Sequence, residues 1–267
     1  MPIIPDRETY NQLKALNFSG SKELLKAPAF YQAYLNNPRE ETKALRMGSL
    51  THALVLESDA VSARYAVLPE GLDRRTKEGK MAFEAFSAGA AGKKVVPADE
   101  WEVCKNVSLS MLAAKKSLGI EFTATELMLT VEYAGIQLKS TIDAVGSDGF
   151  LYDLKTSEDC GPRGWLQSCR QYKYNLQQHF YRLVYEIETK TRVRGFRFIV
   201  AEKQAPWAWS IYELGPELAA WGVADFEAAV KAYKSATALD EWPGYPTEVQ
   251  VIDVAGKTTP SNPINFA

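Results

Sequence analysis

Two aspartates and a lysine, spaced as metal-assisted chemistry would require, lie within residues 139–156, KSTIDAVGSDGFLYDLKT. If this stretch folds as a β-hairpin with a three-residue loop, Asp143 lies directly opposite Asp153, with their β-carbons about 4.5–5.5 Å apart. Lys155 follows two residues after Asp153, and the two-residue period of a strand keeps both on one face. Facing carboxylates destabilise a sheet unless a cation neutralises them, and hard divalent cations prefer oxygen ligands. The pattern therefore predicts a metal site beside an amine.

The length of the turn decides whether the two carboxylates meet. Ser147-Asp148-Gly149 favours a three-residue loop, because Gly149 can adopt a left-handed conformation and Gly146 then pairs with Phe150. A two-residue turn would shift the register by one residue and separate the carboxylates. The hairpin would then be a solvated turn with two ordinary aspartates and a surface lysine. The spacing alone leaves both interpretations open.

The elements around the hairpin are predicted from hydrophobic periodicity and turn signals. Residues 42–57 and 97–118 predict two helices, and the first carries His52 four residues after Gly48, on the same face. A lone histidine on an apolar helix is more often a core residue than a ligand, although this chain has only two histidines. His52 is therefore a candidate ligand whose role depends on where the hairpin lies.

Alternating residues and turn signals predict three consecutive antiparallel strands, over residues 125–133, 137–145 and 150–156. Within the hairpin, Ile142, Tyr152 and Leu154 are expected to turn away from the carboxylates, toward a core.

A long helix is predicted next, over residues 165–189, and Gln177 and Tyr181 share a face of it because they are four residues apart. Two further strands and a helix follow, over residues 195–201, 207–214 and 215–238. The last part of the chain contains four prolines and is predicted to be irregular. Helices, three strands, a helix, strands and a helix predict an α/β sandwich with a mixed sheet.

Composition and cysteine usage describe an ordinary soluble protein: 267 residues, 46% apolar and 24% charged. No run approaches the roughly 18 apolar residues of a membrane span, and the N-terminal sequence is unlike a secretory signal, so we expect a cytoplasmic protein. Cys104, Cys160 and Cys169 are odd in number and lack a C-x-x-C pair. This favours reduced thiols over a disulfide framework or a zinc site.

The net charge of −2 does not indicate a nucleic-acid-binding protein, but the distribution of charge is uneven. Residues 161–197 hold eight basic side chains and two acidic ones, a local excess of 8 − 2 = +6. Such a segment can form an electrostatic footprint for phosphates, and the alternative is a solvated basic helical face.

Several motifs resemble the PD-(D/E)xK nuclease superfamily. Ile142-Asp143 followed by Asp153-Leu154-Lys155 is similar to its signature, with isoleucine in place of the usual proline. The sequence MGSLTHALVLE at 47–57 resembles the G-x-x-x-H helix of the RecB and RecE branch, and YNLQQHFY at 174–181 resembles its Q-x-x-x-Y helix.

Three further features extend this resemblance over nearly the whole chain. Glu126 matches a glutamate on the first strand, and residues 19–31 and 242–245 resemble segments of the RecE exonuclease catalytic domain. No ATP-binding motif is visible, which excludes a complete helicase-nuclease.

The resemblance implies an α/β fold with a PD-(D/E)xK (restriction-endonuclease-like) core, in which helices flank a central mixed sheet with a three-strand meander. We expect a single nuclease domain over residues 1–267. Its three parts are a mainly helical N-terminal part that carries the His52 helix, an αβββαβ catalytic core and an irregular tail, over residues 1–120, 121–238 and 239–267.

The activity implied is that of a RecE-type, exonuclease VIII-like enzyme of a phage or prophage, related to lambda-type exonucleases. Such an enzyme degrades linear duplex DNA from 5′ to 3′ and leaves 3′ single-stranded tails for recombination by single-strand annealing. Its cofactor would be one or two Mg²⁺ ions per site, with Mn²⁺ as a substitute. Its partners would be duplex DNA ends, a RecT/Bet-like annealing protein and other copies of the chain, in a trimeric or tetrameric ring. The setting would be the bacterial host cytoplasm.

The resemblance also implies metal ligands, namely Asp143, Asp153, the backbone carbonyl of Leu154, and His52 and Glu126 either directly or through water. Lys155 would orient or deprotonate the attacking water. Gln177 and Tyr181 would position that lysine or the DNA backbone.

Three residues are candidates for holding DNA or its 5′-phosphate. Arg46 lies in KALRMG, which is similar to a stretch of lambda-type exonucleases that includes a phosphate-binding arginine. Arg163 follows the hairpin, and Thr141 lies within it. The alternative for each arginine is an ordinary surface position.

Two competing functions share this pattern. A Cas4-like or repair endonuclease of the same superfamily is one, although Cas4-like proteins usually carry a four-cysteine iron–sulfur site that three scattered cysteines cannot supply. An inactive DNA-binding scaffold is the other. The intact set of Asp143, Asp153 and Lys155 argues against a scaffold, because a binding module has no need of matched carboxylates.

Overall fold

The computed structural model describes residues 6–37, 40–71, 75–252 and 258–260. Within them the helices are α1 (Arg7–Gln12), α2 (Phe18–Leu24), α3 (Pro28–Asn36), α4 (Lys43–Leu56), α5 (Ser58–Arg64), α6 (Lys77–Gly89), α7 (Ala98–Ser117), α8 (Pro162–Tyr172), α9 (Tyr174–Thr189) and α10 (Pro216–Leu239). The strands are β1 (Tyr65–Val67), β2 (Lys94–Val96), β3 (Phe122–Tyr133), β4 (Ile136–Gly146), β5 (Phe150–Ser157), β6 (Gly195–Glu202), β7 (Trp209–Tyr212), β8 (Gln250–Ile252) and β9 (Thr258–Pro260). None of the described helices has the length and apolar content needed to cross a membrane.

A five-stranded mixed sheet forms the centre of the fold, in the order β3-β4-β5-β6-β7. The first three strands form the predicted antiparallel meander, β6 runs parallel to β5, and β7 is antiparallel to β6. Apolar side chains of α7 and of the end of α4 pack on one face, and those of α9 and α10 pack on the other. The predicted α/β architecture, with helices flanking a mixed sheet, is confirmed.

The hairpin between β4 and β5 has the predicted three-residue loop. Its backbone pairs are Ala144 with Tyr152 and Val145 with Leu151. Gly149 has a φ of +80°, which is the left-handed conformation that the loop requires. These pairs have the register that the three-residue loop predicts, and that register, continued by one residue, aligns Asp143 with Asp153.

The alternation of side chains along β4 is interrupted, which the sequence did not predict. Ile142 was expected to share a face with Tyr152 and Leu154, and this is wrong: all three are fully buried, but Ile142 packs with α9 and α10 and the other two pack on the α7 side. Val145 lies in the same cluster as Ile142 although the two are three positions apart, which would place them on opposite faces of a regular strand. At the corresponding point of β3, Glu126 has a φ of +48°, so regular strand geometry is broken in both strands.

The segment after α1 occupies the edge of β4 that β5 leaves free. The Leu16 amide donates to the Gln137 carbonyl at 2.8 Å, and the Leu16 carbonyl accepts from the Lys139 amide at 2.9 Å. Backbone pairs between β4 and β5 are confined to the turn end. The two strands therefore separate beyond Asp143 and Asp153, and the sheet opens into a cleft at the carboxylates.

The helix predicted over residues 97–118 agrees with α7, and the one over residues 42–57 agrees with α4. Thr42 caps α4, because its hydroxyl accepts from the Leu45 amide at 3.2 Å. The single helix predicted over residues 165–189 is wrong. Lys173, with a φ of +60°, ends α8 and precedes α9, and a left-handed residue interrupts the helical hydrogen bonds.

Short elements of weak periodicity were not predicted, namely α5, α6 and the parallel pair of β1 and β2. The tail predicted as irregular contains the antiparallel pair of β8 and β9, and its residues 253–257 and 261–267 lie outside the described part of the chain. The three cysteines are buried and unpaired, as predicted.

Candidate active site

Asp143 and Asp153 meet where β4 and β5 separate, and both are buried, with 8% and 1% of their surface exposed. Oδ2 of Asp143 accepts from the Leu154 amide at 2.8 Å, so a side chain takes the place of a strand-to-strand backbone bond. Burial, and after it the charge of Asp153, raises the pKa of Asp143 to about 8. The two carboxylates therefore repel each other, and a bound cation would favour the charged form of both.

Lys155 and Gln177 hold the two oxygens of Asp153. The Lys155 ammonium pairs with Oδ2, and Gln177 Nε2 donates to Oδ1 at 2.7 Å. Burial lowers the pKa of Lys155, but the charge of Asp153, the nearby Tyr174 and Asp143 and the hydrogen bond to Asp153 together outweigh it, and the pKa lies above its ordinary value. In this state Lys155 is an ammonium that donates hydrogen bonds and does not take up a proton.

Tyr181 lies one turn after Gln177 on α9, and burial followed by the charge of Asp153 raises its pKa well above the usual range. Its hydroxyl therefore stays protonated. The structure thus places Gln177 against Asp153, whereas the sequence predicted a contact with Lys155 or with DNA.

His52 and Glu126 bring two more potential ligands to Asp143. One ligand atom from each of these three residues lies within 4.8 Å of the others, and we call them the ligand cluster. His52 Nε2 is 2.9 Å from the Leu154 carbonyl oxygen, and Nδ1 is 3.5 Å from Asp143 Oδ2. If Nε2 carries the ring proton and donates to the carbonyl, Nδ1 presents a lone pair to the carboxylate.

The ligand cluster concentrates electron-rich atoms where water is scarce. Burial, and after it the charge of Lys155, lowers the pKa of His52, so the ring is neutral. Burial, and after it the charge of Asp143, raises the pKa of Glu126. A divalent cation would stabilise both carboxylates in their charged form and accept the imidazole lone pair. The residues present therefore fit such a cation.

The chain matches one family model over most of its length. Residues 17–255 match the family described as "PDDEXK-like domain of unknown function (DUF3799)". The chain belongs to this family. The PD-(D/E)xK core that the sequence motifs implied is thereby confirmed, together with the flanking helices and mixed sheet.

Two solved structures were compared with this fold. One is a protein from Eubacterium rectale named "Putative exonuclease", with 13% identity, a TM-score of 0.60, and coverage of 86% of this chain and 84% of the other. A second structure, SSO0001, is 13% identical over 72% of this chain and 87% of the other, and its TM-score of 0.29 supports no conclusion. No curated protein matches the sequence.

Arg7 is a residue of this PDDEXK-like site that sequence reasoning missed. Its Nη2 donates to Glu126 Oε2 at 2.5 Å, and its Nη1 donates to the Thr141 hydroxyl at 3.0 Å. The buried Lys139 ammonium holds α1 in place, because it donates to the carbonyls of Tyr10 and Leu13 at 2.9 Å each. A single arginine in a short N-terminal helix gives no sequence signal of such a role.

A cavity of about 730 Å³, here called the cluster cavity, opens over the ligand cluster. Tyr181 and Thr141 line it, and a contact of Thr141 with DNA stays a prediction. Its basic lining residues are Arg7, Arg64 and Lys94. The cleft thus has positively charged side chains near the carboxylates, but they are not the two arginines that the sequence predicted.

The two predicted phosphate-binding arginines lie elsewhere. Arg46 donates through Nε and Nη2 to the Glu100 carboxylate at 2.9 and 2.8 Å, and Glu100 is only 5% exposed. Arg163 is exposed in the first turn of α8. Neither lines the cluster cavity. Their roles in holding DNA, like those of the proposed ligands, remain predictions.

Proposed function

We propose that this protein is a metal-dependent nuclease that hydrolyses phosphodiester bonds in DNA. The observation that carries the proposal is the arrangement of Asp143, Asp153 and Lys155 at the split between β4 and β5 of a PDDEXK-like fold. Glu126 and His52 converge on the same point from β3 and α4. A scaffold would have no reason to bury facing carboxylates, which cost free energy unless a cation is bound.

The ligands of the cation would be Asp143, Glu126 and His52, with Asp153 and the Leu154 carbonyl beside them. When bound, a divalent ion supplies Lewis acidity to the scissile phosphate and lowers the pKa of water. The carbonyl of Leu154 accepts from His52 here, so its use as a ligand would require that ring to shift. We propose Mg²⁺, with Mn²⁺ as a substitute, because most of the donors are carboxylate oxygens.

Lys155 has the role of orienting the attacking water, since its ammonium can donate a hydrogen bond toward the reacting centre. Gln177 fixes Asp153 by holding Oδ1, which leaves Oδ2 directed at Lys155. Tyr181 supplies a protonated hydroxyl to the cluster cavity, where it can donate to a phosphate oxygen.

The finer proposal is a RecE-type exonuclease that degrades linear duplex DNA from 5′ to 3′ and leaves 3′ tails for an annealing partner. It is supported by the similarity of residues 47–57 and 174–181 to the helices of that branch. The named exonuclease from Eubacterium rectale shares the fold over most of both chains. A ring of three or four copies, a RecT/Bet-like partner and a phage or prophage setting in the bacterial cytoplasm belong to the same proposal.

Cleavage of end-labelled linear duplex, with Mg²⁺ or with a chelator, tests both levels of the proposal. The expected result is Mg²⁺-dependent release of nucleotides from linear DNA, early loss of a 5′ label and late loss of a 3′ label. Closed circular duplex is the control and is expected to stay intact. Cutting of circular DNA would show that the protein is an endonuclease. Binding without any cutting would show that it is a DNA-binding scaffold.

A further inference from the structure

A second cavity adjoins Lys155 and shares no lining residue with the cluster cavity. It measures about 320 Å³ and lies between the end of β5 and helix α8, and we call it the aromatic pocket. Tyr174 lines it, and the Lys155 ammonium lies 4.9 Å from the centre of that ring. The pair of Lys155 and Asp153 therefore lies near both the aromatic pocket and the ligand cluster.

Aromatic rings form one wall of this pocket. Tyr174 stacks on Trp165, with ring centres 5.1 Å apart, and Tyr172 lies 5.7 Å from Tyr174. Tyr172 is 46% exposed although it is a large ring beside a cavity. The Trp165 indole N–H is buried and has no hydrogen-bond partner among the described residues. An exposed ring above a buried stack offers a flat surface to a planar ligand.

The rest of the lining is polar, and among the described residues it carries no unpaired positive charge. Gln167 and Gln171 are exposed one turn apart on α8, and no hydrogen bond within the described part of the chain engages their side-chain amides. The one lining lysine, Lys203, is paired with Glu158, and Asp159 adds a further negative charge. A phosphate would meet a net negative lining, whereas amide groups match the donors and acceptors of a neutral base.

We propose that the aromatic pocket receives the base of an unpaired nucleotide next to the phosphate that is cleaved, with Tyr172 as the stacking residue. The inference rests on the proposed nuclease function and adds the group that the site recognises. The pocket is at the small end of the range of ligand cavities, which leaves room for one base. A terminal nucleotide must leave its stack to enter, and the ring of Tyr172 compensates for the stacking it loses.

Substrates that lack one base provide the test. The set consists of a linear duplex and two analogues in which the nucleotide on either side of the terminal phosphodiester is abasic. Parent, Tyr172→Ala, Tyr172→Phe and Trp221→Ala are compared; Trp221 is a matched control because it is 44% exposed and lies outside the pocket. Kd is measured by anisotropy with Ca²⁺ and kcat/KM by product release with Mg²⁺. An unchanged unfolding midpoint shows that each variant is folded.

The expected result is that Tyr172→Ala weakens binding of intact DNA by about 5- to 150-fold, which is the equivalent of about 1–3 kcal/mol of stacking. The same variant is expected to bind one of the abasic analogues as the parent does, and Tyr172→Phe and Trp221→Ala are expected to match the parent throughout. Equal losses on intact and abasic DNA, or none, would overturn the pocket assignment.

The two proposals fail separately. If the parent cleaves DNA but the effects of Tyr172→Ala and of the missing base on Kd are independent, the pocket proposal is wrong and the nuclease proposal is kept. If the parent binds without cleaving but the Kd values show the coupling, the nuclease proposal is wrong, and the pocket is a base-binding site of a protein that does not cut. If the parent does not bind DNA, both are wrong.

Discussion

Glu126 Oε2 accepts a hydrogen bond from Arg7 Nη2 at 2.5 Å, so an oxygen of a predicted metal ligand is held by an arginine of the N-terminal helix. A divalent cation and a guanidinium repel each other at such short range. Metal binding through Glu126 must therefore loosen or displace Arg7. A displaced guanidinium would remain in the cluster cavity, where it can pair with a phosphate.

Arg7→Ala is predicted to tighten divalent-metal binding, because the cation no longer competes with the guanidinium. The ion pair is half-exposed on the Arg7 side, so its contribution is at most about 1 kcal/mol and the gain at most about fivefold in Kd. Calorimetric titration with Mn²⁺ measures it. Arg64→Ala is the control, since Arg64 lines the same cavity but pairs with Glu57. Weaker binding by Arg7→Ala would mean that Arg7 braces Glu126 instead.

The sequence predicted the parts of the site that depend on local rules. The three-residue loop follows from Gly149, and the loop alone brings Asp143 opposite Asp153. Thr42 marks the start of the helix that carries His52. Each of these follows from turn or capping preferences within a few residues.

The remaining features depend on contacts between distant parts of the chain. Arg7 reaches Glu126 across 119 positions, and Arg46 meets Glu100 across 54. Neither spacing leaves a pattern in the sequence. The break at Lys173 also escaped prediction, because any residue can be forced into a left-handed conformation when the packing of both helices requires it.

Lys155→Ala is predicted to lower kcat by about 10²–10⁴-fold, the usual contribution of a side chain that positions a proton or a water in the reaction. DNA binding should change little, because the Lys155 side chain is only 16% exposed and its charge is paired with Asp153. Single-turnover cleavage and anisotropy measure the two effects separately. Lys105→Ala, an exposed lysine on α7, is the control. A parallel loss of binding and cleavage would contradict the assigned role.

Arg46→Ala separates a structural role from a phosphate-binding role. The variant leaves the buried Glu100 carboxylate without its two strongest hydrogen bonds, so the unfolding midpoint in urea is predicted to fall. If Arg46 also holds a 5′-phosphate, the variant must lose its preference for phosphorylated over hydroxyl 5′ ends. Rates on the two kinds of end, measured at a temperature where the variant is fully folded, decide this. An unchanged preference would leave Arg46 with the structural role alone.

Metal binding is predicted to strengthen as the pH rises from about 6 to about 8, because Asp143 must release a proton to become a ligand. A carboxyl whose pKa is about 8 in the folded state and about 3.9 in the unfolded chain binds its proton more tightly when folded. Without metal, the stability that the protonated Asp143 carboxyl contributes to the fold is therefore fully present below about pH 4 and is lost as the pH rises toward 8. Added Mg²⁺ should raise the melting temperature more at about pH 8.5 than at about pH 6, since affinity grows by up to about tenfold per pH unit for one released proton.

The variant Asp143→Asn tests the source of this pH dependence, because an amide has no proton to release. Mg²⁺ is expected to stabilise this variant less than it stabilises the parent, and by nearly the same amount at both pH values. Asp99→Asn, which changes an exposed aspartate at the start of α7, should keep the pH dependence of the parent. If the parent itself gains equally from Mg²⁺ at both pH values, the buried Asp143 carboxyl is not the group that the cation must deprotonate.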